Sequence, residues 1–291
     1  MPGLDPIASE RWLGRARDAS PWLHEEVAAR MVERLQWFRE APTSWLHWEP
    51  LLGGLKAHQR LRATLPDAAC QVWARDLPRA LAATRERAPR SWNPFARPRD
   101  FQPEPADPAR PVQMVWANMG LHAESSPQAL LARWHAHLAT GGFLMMACLG
   151  PDSLRELRAI HARQGWPAPA HPFTDMHDWG DMMVHAGFAE PVMDMERIVL
   201  TYGSASAMVD ELRQLGRNLS DGRHTTLRGR EWRQLLLGAI EAHGERGDDG
   251  RLRLTFEITY GHAFKAAPRA RQGETTVALD MVRAQLRQRR G

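Results

Sequence analysis

The sequence has little that would place it in a membrane, in a secreted disulfide-stabilised class or at a thiolate metal site. Its 291 residues include two cysteines, too few for a disulfide framework or a cysteine zinc site. No apolar run approaches the roughly 18 residues that cross a bilayer, and the first residues lack the basic and apolar segments of a signal peptide. These absences predict a soluble, cytoplasmic protein whose two thiols are buried.

Neither the charge nor the histidine content of the sequence identifies a ligand. The formal net charge is +4, but the arginines are spread along the chain, which is weak support for nucleic-acid binding. A basic surface can instead attract an acidic protein partner. Thirteen histidines are present, but their closest pairs have no third ligand nearby. We therefore expect no metal and no membrane or nucleic-acid partner.

Hydrophobic periodicity predicts strands that alternate with helices. The predicted strands lie within 44–54, 70–74, 111–120, 141–150, 196–202 and 251–260. The predicted helices cover 25–38, 55–65, 128–138, 152–164, 177–188, 206–215 and 229–243. Asp178 is the expected cap at the start of the helix over 177–188. This alternation is typical of an α/β fold with a parallel sheet.

Four sequence segments carry a family resemblance across about residues 112–265. In order they are WANMGLH, GGFLMMACLGPDSLRELR, FTDMHDWGDMMVHAGFAEPVMDMERIVLTY and FEITYGHAF. Together they resemble the malonyl-acyl-carrier-protein O-methyltransferases of biotin synthesis. The resemblance implies a class I methyltransferase (Rossmann-like) fold, with a mixed, mostly parallel seven-stranded sheet and helical lid insertions. It also implies S-adenosylmethionine as methyl donor and a malonyl thioester on an acyl-carrier protein as acceptor.

The resemblance and the composition of the chain together suggest how it is divided. We expect an N-terminal helical lid over 1–42, a methyltransferase-like α/β domain over 43–265 with a flexible linker at 89–111 and a helical insertion at about 203–245, and a basic tail over 266–291. The family usually has an aromatic lid residue, commonly tyrosine, before its first helix. Trp12 or Trp22 could take that place, or could instead pack as a hydrophobic staple.

The donor site of this family lies at the carboxyl ends of the first strands. A glycine-rich turn there lets backbone approach the donor, and an acid after the second strand binds its ribose. The family pattern of an acid followed by three alternating glycines falls on His47, Glu49, Leu51 and Gly53. One glycine of the pattern is therefore retained, and Pro50 removes a backbone donor.

Several residues remain candidates for holding the donor. Asp76 suits the ribose hydroxyls, although an acid at a strand end can also cap a helix. Glu49 suits the amino group of the donor or is a solvated loop acid. Asn118, after a buried strand, would face donor and acceptor together or stabilise a turn. The candidate donor-binding residues are Glu49, Gly53, Gly54, Asp76 and Asn118.

Four residues are candidates for binding the acceptor. Arg155 and Arg158 are three apart on one helical face and could pair with the malonyl carboxylate or with acids of the carrier protein. Tyr260 and His262 lie on either side of Gly261 at a strand end that could border the acceptor pocket. Alternatively, the two arginines are only solvated, and the strand end has a structural role alone.

Methyl transfer to a carboxylate needs no general base, because the acceptor carries no proton and the sulfonium already activates the methyl group. We therefore assign no catalytic residue from sequence. The altered donor loop leaves a second hypothesis open, in which the chain is a catalytically inactive pseudo-methyltransferase that acts as a binding or regulatory module. Titration with S-adenosylmethionine distinguishes the two.

Overall fold

A computed structural model describes residues 3–86, 100–224 and 228–267. Seven strands form one sheet in this part of the chain. They are β1 (Ser44–Trp48), β2 (Ala69–Trp73), β3 (Glu104–Pro105), β4 (Val112–Asn118), β5 (Leu138–Leu149), β6 (Ala189–Tyr202) and β7 (Leu252–Phe264). Their order across the sheet is β3-β2-β1-β4-β5-β7-β6. The first five strands are parallel, and β7 runs antiparallel to both of its neighbours. The predicted mostly parallel, seven-stranded sheet is confirmed.

Helices connect the strands and cover both faces of the sheet. They are α1 (Pro6–Leu13), α2 (Trp22–Arg34), α3 (Pro50–Gly53), α4 (Leu55–Thr64), α5 (Leu77–Thr84), α6 (Pro127–His137), α7 (Arg155–Arg163), α8 (Met176–His185), α9 (Ala205–Leu215) and α10 (Arg230–His243). Single 3₁₀ turns span Leu35–Trp37 and Leu121–Ala123. A helix or strand occurs at every segment where periodicity predicts one. Every helix in the described part of the chain is too short or too polar to cross a lipid bilayer.

The cap of α8 differs from the prediction. Asp175, and not Asp178, lies at the N-cap, with an extended backbone and a carboxylate that accepts the His177 N–H at 2.7 Å. Asp178 lies inside the first turn. A cap must stand just outside the helix so that its side chain can reach back to the free N–H groups, and periodicity alone does not fix that boundary.

Two apolar cores enclose the sheet. Trp45 and Trp116 are fully buried in the core under α2 and α4, while Trp134 and Trp179 fill the opposite core under α6 and α8. Both cysteines are free and buried. Burial of Trp45 in β1 and Trp116 in β4 fixes the strand register, because a shift of one residue would move each of these two side chains to the other face of the sheet.

Two predicted segments are only partly described. The linker predicted over 89–111 is described from residue 100 onward, where it contains β3 and continues into β4. Its first part, 89–99, and most of the predicted tail, 268–291, lie outside the described residues. The predicted insertion at about 203–245 contains α9 and α10, which lie between β6 and β7 in the sequence.

Candidate functional site

The carboxyl ends of β1, β2 and β4 meet at one edge of the sheet, which is where parallel α/β sheets bind ligands. Trp48 of β1 pairs with Trp73 of β2 on one side and with Ala117 of β4 on the other. The residues that follow these positions are therefore brought together. Glu49 comes directly after β1, and Asn118 ends β4. We call the space between these strand ends the crevice.

The turn after β1 keeps a glycine-like backbone although it carries a glutamate. Glu49 has φ 52° and ψ 60°, a left-handed conformation that glycine adopts freely and other residues adopt at a cost. Its N–H donates to the carbonyl of Trp73 at 2.7 Å. The N–H groups of Leu52 and Gly53 donate back to the Glu49 carbonyl at 3.0 and 2.8 Å. These amides are therefore used inside α3 and do not face a ligand.

Arg75 fills the crevice. Its Nη1 donates to Glu49 Oε1 at 3.0 Å, its Nη2 to Glu124 Oε2 at 3.1 Å, and its Nε lies 3.3 Å from Glu10 Oε1. The Arg75 backbone N–H also donates to Glu49 Oε1, at 3.1 Å. The side chain is 18% exposed. Arg75 thus holds together α1, the turn after β1 and the segment after β4.

The charges in this cluster depend on one another. Burial raises the pKa of the Glu49 carboxyl, and the hydrogen bond and charge of Arg75 act against that rise. Burial by itself would lower the pKa of Arg75, but Glu49 and the other carboxylates more than offset this and raise it. Arg75 therefore stays charged, and its charge is what makes an ionised Glu49 tolerable at this depth.

The N-terminal segment, residues 5–25, covers one side of the crevice, which Leu13 lines. Ser20 Oγ accepts the N–H of Leu55 at 3.0 Å, and the Glu25 carboxylate accepts the N–H of Lys56 at 3.1 Å. These bonds cap the start of α4, whose free N–H groups would otherwise be available to an anionic ligand. Trp12 of α1 is buried at the same edge, whereas Trp22 is 55% exposed. Of the two tryptophans considered for the lid, Trp12 is the buried one, and it packs in a cluster with Leu52 and Ala123.

Little free space remains in the crevice. Its volume is about 10 Å³, room for about one water molecule, whereas pockets for small molecules have about 300–1,000 Å³. In this arrangement the crevice is closed, with far less free space than a small-molecule site has.

Three of the predicted donor residues meet beside the crevice. Asn118 Nδ2 donates to the carbonyl of His24 at 2.8 Å and to that of Gly53. A Cβ on Gly53 would lie 3.2 Å from the Asn118 carbonyl oxygen, so the two strand ends approach closely there. Gly54 has φ 138° and lies against Ala28 and Glu25. The structure therefore uses this group to tie β4 and α2 to the turn after β1.

Asp76 does not line the crevice, whereas its neighbour Arg75 does. Its carboxylate accepts the N–H of Arg79 at 3.2 Å, which caps the start of α5. The crevice is lined by Arg75, and Asp76 is absent from its described lining residues. A ribose-binding role for Asp76 thus stays a prediction, with a capping role visible in its place.

A second, larger cavity of about 420 Å³ lies beyond the ends of β4 and β5. Its walls are mainly apolar and come from α7, α9, α10 and the loop over 167–173, with Leu157 and Phe256 among them. Arginines line it as well, namely Arg213, Arg217, Arg223 and Arg228. Trp12 lines this cavity and Leu13 lines the crevice, so consecutive residues of α1 stand between the two. We call this space the main cavity.

The ring nitrogens and guanidinium groups around the main cavity are held in place. Burial lowers the pKa of both His122 and His161, so these rings are neutral near pH 7. His122 Nδ1 accepts the N–H of Leu149 at 3.3 Å. The Arg228 guanidinium stacks on the Trp232 ring at 3.7 Å, and Arg223 pairs with Asp5. The cavity therefore combines apolar walls with positive charge.

The predicted acceptor residues fall in two separate places. Arg158 donates to the carbonyls of Ser153 and His171 at 3.2 and 2.9 Å, and so it fixes the loop that borders the main cavity. Arg155 is about half exposed and pairs with Glu156. Their roles in binding stay predictions.

Tyr260 and His262 lie instead beside α2, around a third cavity of about 100 Å³. The Tyr260 hydroxyl donates to Glu196, and the Arg34 guanidinium lies 3.7 Å from its ring centroid. The structure does not bring these two residues to the main cavity. The arginines of the main cavity were missed because they lie in or after helices far along the sequence, where an exposed arginine is ordinary.

Comparison with known proteins places the chain among close relatives. The malonyl-[acyl-carrier protein] O-methyltransferase of Laribacter hongkongensis is 40% identical over 270 residues, covering 88% of this chain and 86% of the relative. The enzyme of the same name from Gallionella capsiferriformans is 35% identical over 277 residues, covering 91% and 93%. No family model matches the chain.

Solved structures agree on the fold. The YcgJ protein of Bacillus subtilis superposes with a TM-score of 0.51 at 10% identity, covering 84% of this chain and 99% of that one. A Bacillus halodurans protein assigned as a methyltransferase gives 0.50 at 14% identity, covering 83% and 100%. At these identities the likeness concerns the fold alone, and the predicted class I methyltransferase fold is confirmed.

Proposed function

We propose that this chain, which belongs to the malonyl-[acyl-carrier protein] O-methyltransferase family, transfers a methyl group from S-adenosylmethionine to the free carboxylate of a malonyl thioester in biotin synthesis. The thioester is carried by an acyl-carrier protein. The donor supplies an activated methyl group, so the protein has to align the carboxylate and keep water away.

The main cavity carries this proposal. Its volume of about 420 Å³ is within the range of small-molecule sites and suits an acyl thioester with part of its carrier arm. Its apolar walls, formed by residues such as Leu157, Leu212 and Phe256, exclude water from the acyl group. The end nearest Trp12 and His122 adjoins the crevice, so the carboxylate that receives the methyl group is assigned to that end.

The arginines of the main cavity fit the rest of the acceptor. Guanidinium groups bind phosphates and carboxylates through paired hydrogen bonds. Arg213 and Arg217 are exposed, and they can meet the phosphate of the carrier arm or acids on the carrier protein. Complementary charge of this kind speeds the encounter of two proteins and makes it sensitive to salt.

The test is transfer of an isotope-labelled methyl group from S-adenosylmethionine to malonyl-loaded carrier protein, with the methyl ester detected by mass spectrometry. Acetyl-loaded carrier, which has no free carboxylate, is the substrate control. Leu157→Trp fills the main cavity and is expected to reduce kcat/KM for the loaded carrier at least about tenfold, equivalent to roughly 1.4 kcal/mol.

Leu235→Trp adds the same side chain on α10, where Leu235 is 61% exposed, and is expected to leave kcat/KM unchanged. Equal activity of the two tryptophan variants would remove the main cavity from the acceptor site. Absence of methyl ester from the unmodified chain, with a donor concentration in the millimolar range, would contradict the proposed activity itself.

A further inference from the structure

We propose that Arg75 sets the affinity and charge preference of the donor site, because its guanidinium occupies the crevice as an internal cation and latches the N-terminal segment over it. The inference rests on the proposed function in taking S-adenosylmethionine as the donor. It assigns to this chain a gate that the donor has to displace.

Three carboxylates surround the Arg75 guanidinium. Glu10, Glu49 and Glu124 come from α1, from the turn after β1 and from the segment after β4, and all three contact Arg75 within 3.3 Å. Three carboxylates at one strand edge form a site for a cation. S-adenosylmethionine is cationic at its sulfonium and its amino group, so it and Arg75 compete for the same negative charge.

The crevice also has almost no free space. The crevice retains about 10 Å³, so a donor enters only when the Arg75 side chain leaves. Since Arg75 also contacts Glu10 of α1, its departure removes one of the contacts that hold the N-terminal segment over the crevice. The N-terminal segment is held independently at Ser20 and Glu25, which cap α4. Opening therefore breaks a set of contacts, and Arg75 is the member of that set that lines the crevice.

Such a gate lowers the measured affinity in a defined way. When only a fraction of the molecules has an open crevice, the apparent Kd equals the intrinsic Kd divided by that fraction. Removing the latch raises the open fraction and tightens binding without any new contact to the donor. The same substitution removes a positive charge, so it favours the cationic donor more than its demethylated product, S-adenosylhomocysteine, whose sulfur is neutral.

The variant Arg75→Ala tests this by calorimetric titration of the full chain with both ligands. The expected result is a Kd for S-adenosylhomocysteine at least about tenfold lower than in the unmodified protein, with a still larger decrease for S-adenosylmethionine. Arg79→Ala is the matched control. It removes an ion pair from the adjacent helix to Asp18 of the same N-terminal segment, and Arg79 does not line the crevice. Unchanged Kd values are expected for the control.

Arg75→Ala leaves the buried Glu49 without its guanidinium and could lower stability. The double variant Arg75→Ala with Glu49→Gly avoids this, because it removes the unpaired carboxylate and places glycine at a left-handed position where glycine is favoured. The same gain for S-adenosylhomocysteine is expected in the double variant. Hydrogen exchange provides a second readout, in which amides of 5–25 lose protection in Arg75→Ala and keep it in Arg79→Ala.

Equal or weaker binding of both ligands by both Arg75 variants would overturn the inference, as would an equal gain in Arg79→Ala, since that would trace the effect to general loosening of the N-terminal segment. These outcomes are independent of the methyl-transfer test. Tighter donor binding without methyl ester formation would support the gate at Arg75 and contradict the proposed methyl transfer. Methyl ester formation with unchanged Kd values would support the proposed methyl transfer and contradict the gate at Arg75.

Discussion

The backbone at Glu49 gives a stability prediction that can be worked out in advance. Glu49→Gly and Glu49→Ala both delete the carboxylate and its ion pair with Arg75, so those losses cancel when the two variants are compared. What remains is the cost of a Cβ at φ 52°, about 1 kcal/mol or slightly more for a non-glycine residue in the left-handed region. We therefore expect the glycine variant to be more stable than the alanine variant by about 1 kcal/mol.

Urea unfolding followed by tryptophan fluorescence measures this difference, provided that the two variants have the same m-value. A second pair, Gln234→Gly and Gln234→Ala, calibrates the method on the exposed face of α10. There the order is expected to be reversed, with glycine less stable by about 1 kcal/mol. If glycine at position 49 is no more stable than alanine, the left-handed turn after β1 is not the conformation of this chain.

Three further outcomes are expected. Asp175→Ala removes the cap of α8 and costs about 1 kcal/mol of unfolding free energy, whereas Asp178→Ala changes it little; urea unfolding of both variants decides this. Hydrogen bonds from β7 to the buried Glu156 outweigh its desolvation and lower its pKa, so it stabilises the fold above about pH 4.3 and this contribution is lost as the pH falls through its lower folded pKa. Glu156→Gln should therefore flatten stability against pH in that acid range. Arg213→Ala combined with Arg217→Ala should raise KM for malonyl-carrier protein about tenfold at low salt but leave KM for malonyl-pantetheine unchanged, as steady-state kinetics would show.

Sequence periodicity predicts the elements whose burial is unambiguous. β4 and the second half of β5 are buried on both faces and appear as apolar runs in the sequence. β3 has two residues and exists only through its pairing with β2, which no local pattern encodes. β6 begins at Ala189, well before the predicted 196, because its first half pairs with β7 at the sheet edge while remaining partly exposed. Exposed edge strands tolerate charges such as Glu190 and Asp194 and so lack the apolar signal.

After β2, the residue that lines the crevice is one position away from the residue that the sequence suggests. Asp76 was the natural choice from the sequence, since an acid follows the second strand. In the turn that follows β2, however, Arg75 reaches into the crevice, whereas Asp76 caps α5. A signal was available, because an acid at a family glycine position in a buried turn requires a nearby cation. Glu49 and Arg75 are the pair that meets this requirement, but their 26-residue separation hides it from any local pattern.

The charged side chains in the altered crevice stabilise one another. Glu49 stands where the family has glycine, Arg75 neutralises it, and Glu10 and Glu124 bind the remaining faces of the guanidinium. A buried charge without a partner would destabilise the fold by several kcal/mol, so these four charged side chains stabilise one another and removing one alone is costly. The main cavity, in contrast, keeps apolar walls and a volume fit for an acceptor. The change in this chain thus concerns how tightly and in which state the donor is admitted, and donor affinity in Arg75→Ala is the quantity that responds to it.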